Sequence, residues 1–133
     1  MRGFVLQEWI TIQGDTAIHD VIQSPTDWLN VEAYQDAVLF LEVGALTATG
    51  AIGFLLETAP SSDEALFKPI VASIAMSASV TPLVTKILAS SATGTNPPLA
   101  KWLRFHITST STTPWLVRFR ASLGLNAAMG MQG

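Results

Sequence analysis

The sequence predicts an all-β protein: an antiparallel β-sandwich of about eight strands, jelly-roll-like, with one or two short helical turns. Three observations carry that expectation. Apolar runs of strand length recur at spacings of roughly 10–15 residues, separated by Ser, Thr, Gly and Pro. No βαβ alternation and no long amphipathic helical pattern interrupts them. The last two runs alternate with a period of two, as half-buried strands do.

In chain order, Phe4 to Ile12 is an extended run that closes at Gly14-Asp15. Ala17 to Ile22 is a second. Ser24-Pro25-Thr26-Asp27 has the form of a helix start, with Ser as cap and Pro at the first position, but it leads only to Trp28-Leu29-Asn30, so one turn is expected. Ala37 to Leu46 and Ala51 to Thr58 are strong strands, and Thr47-Ala48-Thr49-Gly50 between them reads as a hairpin loop. Ser61 and Glu64 have capping-box spacing, which predicts a short turn over 63–67. Pro69 to Met76 and Pro82 to Leu88 are strand-like, and Ser90 to Pro98 is a polar loop. Lys101 to Thr108 and Trp115 to Leu125 complete the pattern. Residues 1–125 are thus expected to form one sandwich domain. Residues 126–133 lack periodicity and are expected to be a flexible or partner-bound tail.

Faces follow from the alternation. Leu103, Phe105 and Ile107 share one side of their strand, with Trp102, Arg104 and His106 on the other. Trp115, Val117, Phe119, Ala121 and Leu123 share a side, opposite Arg118 and Arg120. Val38 to Val43 and Ile52 to Leu56 are apolar on both sides. Such strands lie under a covering loop or against another chain.

Composition narrows the function. Only 13% of residues are charged although 49% are apolar, against about 25% charged in an average soluble domain. A chain so poor in charge is expected to pack against copies of itself or a large partner. Ten acids against seven bases give a net charge of −3, which argues against nucleic acid as a partner. The longest apolar runs fall well short of the ~20 residues of a membrane helix, and Gln7 and Glu8 break the N-terminal apolar stretch too early for a signal peptide. The expectation is a protein made in a cytoplasm, without membrane contact. Cysteine is absent, so neither disulfides nor thiolate metal sites are available.

Chemistry-bearing patterns are sparse. A hairpin turning about Thr49-Gly50 would set Glu42 opposite Glu57, the kind of carboxylate pair that glycosidases use; the plainer alternative pairs each with Arg104, Arg118 or Arg120. His19 and His106 lack metal-ligand spacing. Asp27, Glu32 and Asp36 lack calcium-loop spacing. No phosphate loop and no nucleophile elbow is present. The expectation is therefore a protein that is not an enzyme and holds no cofactor or metal. Exposed Trp28 or Trp102 would suit a carbohydrate-binding module, the principal alternative.

The strings Asp36 to Val43, Leu56 to Phe67 and Pro98 to Phe105 resemble small proteins encoded among the virion genes of tailed bacteriophages, over about residues 25–124. The resemblance implies a virion structural protein assembled in the host cytoplasm. Its first choice is a capsid decoration (cement) protein that binds the major capsid protein or other virion subunits as a symmetric oligomer, with a trimer favoured. A tail or head–tail connector component is the other virion position it allows. Aromatic and Arg side chains are enriched at interfaces, so Trp102, Arg104, Arg118 and Arg120 are expected to form an interface stripe. Phe4 and Trp9 in an N-terminal arm, and Met129 and Met131 in the tail, are expected to supply further contacts.

Overall fold

The computed structural model describes residues 2–79, 81–88 and 97–127. Two antiparallel sheets stack face to face. Sheet A contains β1 (Arg2–Gly14), β4 (Tyr34–Thr47), β8 (Leu83–Ile87) and β10 (Trp115–Ala127), in the order β1-β10-β4-β8. Sheet B is built on β5 (Ile52–Ala59) and β9 (Trp102–Ser109), which pair along their full length. Four short strands flank them. β2 (Asp20–Ile22) and β3 (Leu29–Asn30) both pair with β9, and β6 (Lys68–Pro69) and β7 (Ile74–Ala75) both pair with β5.

The short strands make sense in pairs. β2 and β3 occupy one strand position along β9, interrupted by the 3₁₀ turn Pro25–Asp27; β6 and β7 occupy one position along β5. Counted this way there are eight positions. The first pairs with the eighth, the second with the seventh, the third with the sixth and the fourth with the fifth. That is one long antiparallel hairpin rolled up on itself, and it is the jelly roll.

The roll corrects one expected connection. Thr47 to Gly50 does not close a hairpin. β4 lies in sheet A and β5 in sheet B, so the segment carries the chain from one sheet to the other. Gly50 has a φ of +124°, and a Cβ there would stand 2.8 Å from the Thr110 carbonyl oxygen, so this crossing needs glycine. Thr110 and Thr112 donate their backbone N–H groups to the carbonyls of Ala51 and Thr49, tying the crossing to the segment between β9 and β10.

The N-terminal segment is not an arm. β1 runs beside β10 from Arg2 opposite Leu125 to Gly14 opposite Trp115, with bulges near Leu6 and between Gln7 and Ile10. β10 extends past the expected boundary, since Asn126 and Ala127 still pair with Asp36 and Tyr34. The remaining tail, with Met129 and Met131, lies outside the described residues, as does most of the expected loop from Ser90 to Pro98. The strand expected over 69–76 is two short pairings on either side of a bend. The second helical turn is the 3₁₀ segment Glu64–Leu66. Its cap is Asp63, whose side chain accepts from the Ala65 N–H, and not Ser61.

Alternation places the core as expected. Trp115, Val117, Phe119, Ala121, Leu123 and Leu125 of β10 are buried against the inner face of sheet B. Phe119 meets Phe105 at 5.2 Å and Phe54 at 5.9 Å between ring centroids, both edge-on. These three rings join the central strands of the two sheets. The Phe119→Ala substitution is expected to cost about 3–5 kcal/mol of stability, read from the midpoint of a urea unfolding curve.

Candidate interaction surfaces

Trp102, Arg104 and His106 do share the outer face of β9, but neighbouring segments of the chain cover much of it. The turn 24–28 and the loop 63–67 fold over the sheet and set Trp28 and Phe67 against Ala59 and Trp102 as a second hydrophobic cluster. Trp28 meets Phe67 edge-on at 4.7 Å and donates its indole N–H to the Gln23 carbonyl at 2.8 Å. It is therefore buried, not the exposed aromatic that sugar stacking needs. Trp102 is half-buried, with Lys101 against its ring.

Arg104 lies beneath this cover, 4% exposed. Its Nε donates to Glu57 Oε1 at 2.9 Å, and its Nη1 reaches Glu64 Oε1 at 3.5 Å. The guanidinium sits 3.9 Å from the centre of the Phe67 ring and 5.2 Å from that of Trp28. Burying a charge is costly unless it is paired and hydrogen-bonded, and the sequence meets that demand by placing Glu57 directly opposite Arg104 in the β5–β9 register.

Glu57 is buried as well, and its second oxygen is engaged: His106 Nδ1 lies 3.0 Å from Glu57 Oε2. The other ring nitrogen, Nε2, lies 2.7 Å from Asp20 Oδ1 on β2. An ionised carboxylate only accepts, so both contacts are hydrogen bonds when both nitrogens carry a proton. Asp20, His106, Glu57, Arg104 and Glu64 thus form one chain of polar contacts linking β2, β9, β5 and the second 3₁₀ turn. Each imidazole nitrogen faces a carboxylate and neither faces a hydroxyl, which is not the geometry of a nucleophile–base pair. Among the described residues, no group of three or more His, Cys, Asp and Glu side chains is arranged to hold a metal ion.

Glu42 and Glu57 do not meet, because they stand on different sheets. Glu42 pairs instead with Arg120, 2.8 Å from Nη2 and 2.9 Å from Nε. That hydrogen bond, with the nearby charges of Glu42 and Glu8, raises the Arg120 pKa above its ordinary value against a smaller opposing effect of burial. Both carboxylates find the arginine partners that the plainer alternative gave them.

Arg118 and Arg120 lie on the outer face of sheet A, across the sandwich from Trp102 and Arg104. The four residues therefore do not form one stripe. On sheet A both guanidinium groups approach the ring of Trp9, Arg118 at 4.4 Å and Arg120 at 5.2 Å from its centroid. Gly44 makes room beside them: a Cβ there would lie 3.3 Å from the Trp9 ring. Phe4 turns the other way, partly buried against the core and edge-on to Tyr34 at 5.5 Å.

No loop comparable to that over sheet B covers this face among the described residues. A row crosses all four strands at one level, Val5 opposite Ser122, Ser122 opposite Phe40 and Phe40 opposite Val84. Val5 is 52%, Phe40 39% and Val84 55% exposed. Beside the row, Ala37, Val38, Lys86 and Leu88 help line a largely apolar groove of about 410 Å³. Of the row, the two-sided apolar character of Val38 to Val43 signalled Phe40, whereas Val5 and Val84 lie outside that run. The other two-sided strand, β5, is buried by its own chain.

No family model and no curated protein matches the sequence. Among solved structures, the chain is similar to one in a structure of infectious bursal disease virus, Gx strain, with a TM-score of 0.57 and 9% identity over 98% of this chain and 33% of that one. A structure of the Gt strain gives a TM-score of 0.50 and 9% identity over 98% of this chain and 34% of that one. The chain therefore spans about a third of the length of those it matches, and what it shares with them is the fold.

The two faces differ in what they ask of their charges. Glu57→Ala is expected to cost about 3–5 kcal/mol, because it strips a buried guanidinium of its main partner. Asp20→Ala removes a partner whose side chain is 62% exposed and is expected to cost less than about 1 kcal/mol. Chemical denaturation of both variants measures the contrast, and equal losses would contradict it.

Proposed function

We propose that this protein is a structural component of a virus particle and, within that class, a decoration subunit that attaches to an assembled shell. The observation that carries this reading is the jelly roll matched across 98% of the chain to a structure of infectious bursal disease virus. A fold by itself hosts many functions, so the reading also draws on the surface. An exposed apolar row on one face of a sandwich suits attachment to a neighbour, and so does the low charge of the chain.

A decoration subunit acts by mass action. It binds the assembled lattice and not its dissociated parts, and so raises the free energy of disassembly. The partners are the major capsid protein or other virion subunits. Copies associate as a symmetric oligomer, for which the bacteriophage resemblance implies three-fold closure. Neither nucleic acid nor a cofactor has a part in this function, and no catalytic step is assigned.

Quantitative mass spectrometry of purified particles from cells that carry the gene tests the reading. Hundreds of copies per particle are expected for a decoration subunit. A single small ring of copies would place the protein at the neck or tail, and its absence from particles would overturn a virion role altogether. Adding the purified protein to particles that lack it is expected to raise the temperature at which they break open.

A further inference from the structure

The outer face of sheet B sets one imidazole between two carboxylates. In the β2–β9 register Ile22 stands opposite His106 and Asp20 opposite Thr108, so Asp20 is a diagonal neighbour of His106. In the β5–β9 register Leu55 stands opposite His106 and Glu57 opposite Arg104, so Glu57 is the diagonal neighbour on the other side and in the other direction. Diagonal neighbours on one face lie within reach of an aromatic side chain. The His106 ring spans them, with Nε2 2.7 Å from Asp20 Oδ1 and Nδ1 3.0 Å from Glu57 Oε2.

The two carboxylates differ in what they can give up. The Glu57 side chain is 8% exposed and that of Asp20 is 62% exposed. An acceptor that loses its donor is costly where water cannot take the donor's place and cheap where it can. Arg104 donates to Glu57 Oε1 and leaves Oε2 to the ring. A neutral imidazole carries one N–H, so it donates to one carboxylate and turns a lone pair toward the other. The arrangement keeps the proton on Nδ1, facing Glu57, and Asp20 is the partner that swings into solvent. The other charged groups that reach the ring's surroundings are Arg104 on β9 itself and, through it, Glu64 of the second 3₁₀ turn. His19, next to Asp20 in the chain, turns its Nδ1 to the Ser109 carbonyl instead. Of the five side chains in the run from Asp20 to Glu64, the imidazole is the type that ordinarily changes charge near neutral pH.

We propose that His106 is a pH-dependent clasp on β2. Protonated, it donates to both carboxylates and ties exposed Asp20 to buried Glu57 across β9. Neutral, it keeps Glu57 and releases Asp20, and β2, at the edge of sheet B, is left to its backbone pairing with β9. The tie is present while the carboxylates are ionised and the ring is protonated, and it is lost as rising pH removes the second ring proton. The clasp belongs to the single chain and stands apart from the virion reading.

Nitrogen NMR of the labelled imidazole rings in the full chain tests it at about pH 5.5 and about pH 8.5, toward the two ends of the range in which histidine ordinarily changes charge. His19 is the internal comparison, and His106→Gln assigns the signals. At the lower pH both nitrogens of His106 are expected to carry protons. At the higher pH Nδ1 is expected to keep its proton and Nε2 to lose it, the reverse of the tautomer that an unconstrained histidine prefers. A double-mutant cycle of Asp20→Asn and His106→Gln, read from urea unfolding, is expected to give a coupling on the order of threefold in the unfolding constant at the lower pH and none at the higher. A ring already neutral at the lower pH, a proton retained on Nε2 at the higher, or a coupling that is equal at both would each overturn the proposal.

Discussion

Three phenylalanine rings hold the two sheets together, and the exterior is shaped by what they leave over. Phe119 comes from β10, flanked by strands on both sides in sheet A, and Phe105 and Phe54 from the paired central strands of sheet B. For the rings to meet, each strand must turn its apolar positions inward in register. A slip of one residue would carry Phe119 to the outside and bring Arg118 or Arg120 into the core. The rolled-up pairing of first strand with eighth and second with seventh is the topology that satisfies this requirement on both sheets.

The outer faces are then settled in two different ways. On sheet B the chain covers itself: Trp28 and Phe67 fold over β9, and the buried charges Glu57 and Arg104 pair with each other beneath them. Two of the chain's few charges, Glu57 and Arg104, are thereby withdrawn from solvent, so the surface is poorer in charge than the composition suggests. On sheet A, Phe40 and Val84 stay exposed in the middle of the face, with charges disposed on either side of them. A low overall charge is one number, but it has two causes here: charge buried inside one face, and apolar surface open on the other.

Much of the fold was legible because alternation is a local signal. The inward set of β10 from Trp115 to Leu123 could be read residue by residue, and so could the one-turn helix at Pro25. The connection from Thr47 to Gly50 could not. Whether two strong strands fold back as a hairpin or separate into two sheets depends on partners far along the chain, here β10 for one strand and β9 for the other. The same limit explains the misplaced interface stripe. Alternation rightly turned Arg104 and Arg118 away from the core, yet it carries no record that one outer face is roofed by residues 24–28 and 63–67. Glu57 and Glu42 show the reverse: pairing with arginine was foreseeable from charge alone, without the correct topology.

The central claim is that one outer face is roofed by the chain itself while the other keeps its apolar row open. Hydroxyl-radical footprinting of the dilute protein tests it most directly, because it reports side-chain exposure face by face. Phe40 on sheet A is expected to be oxidised readily, while Trp28 and Phe67, roofing sheet B but buried in their own cluster, are expected to be protected. Protection of Phe40, or ready oxidation of Trp28 and Phe67 in the folded protein, would contradict it.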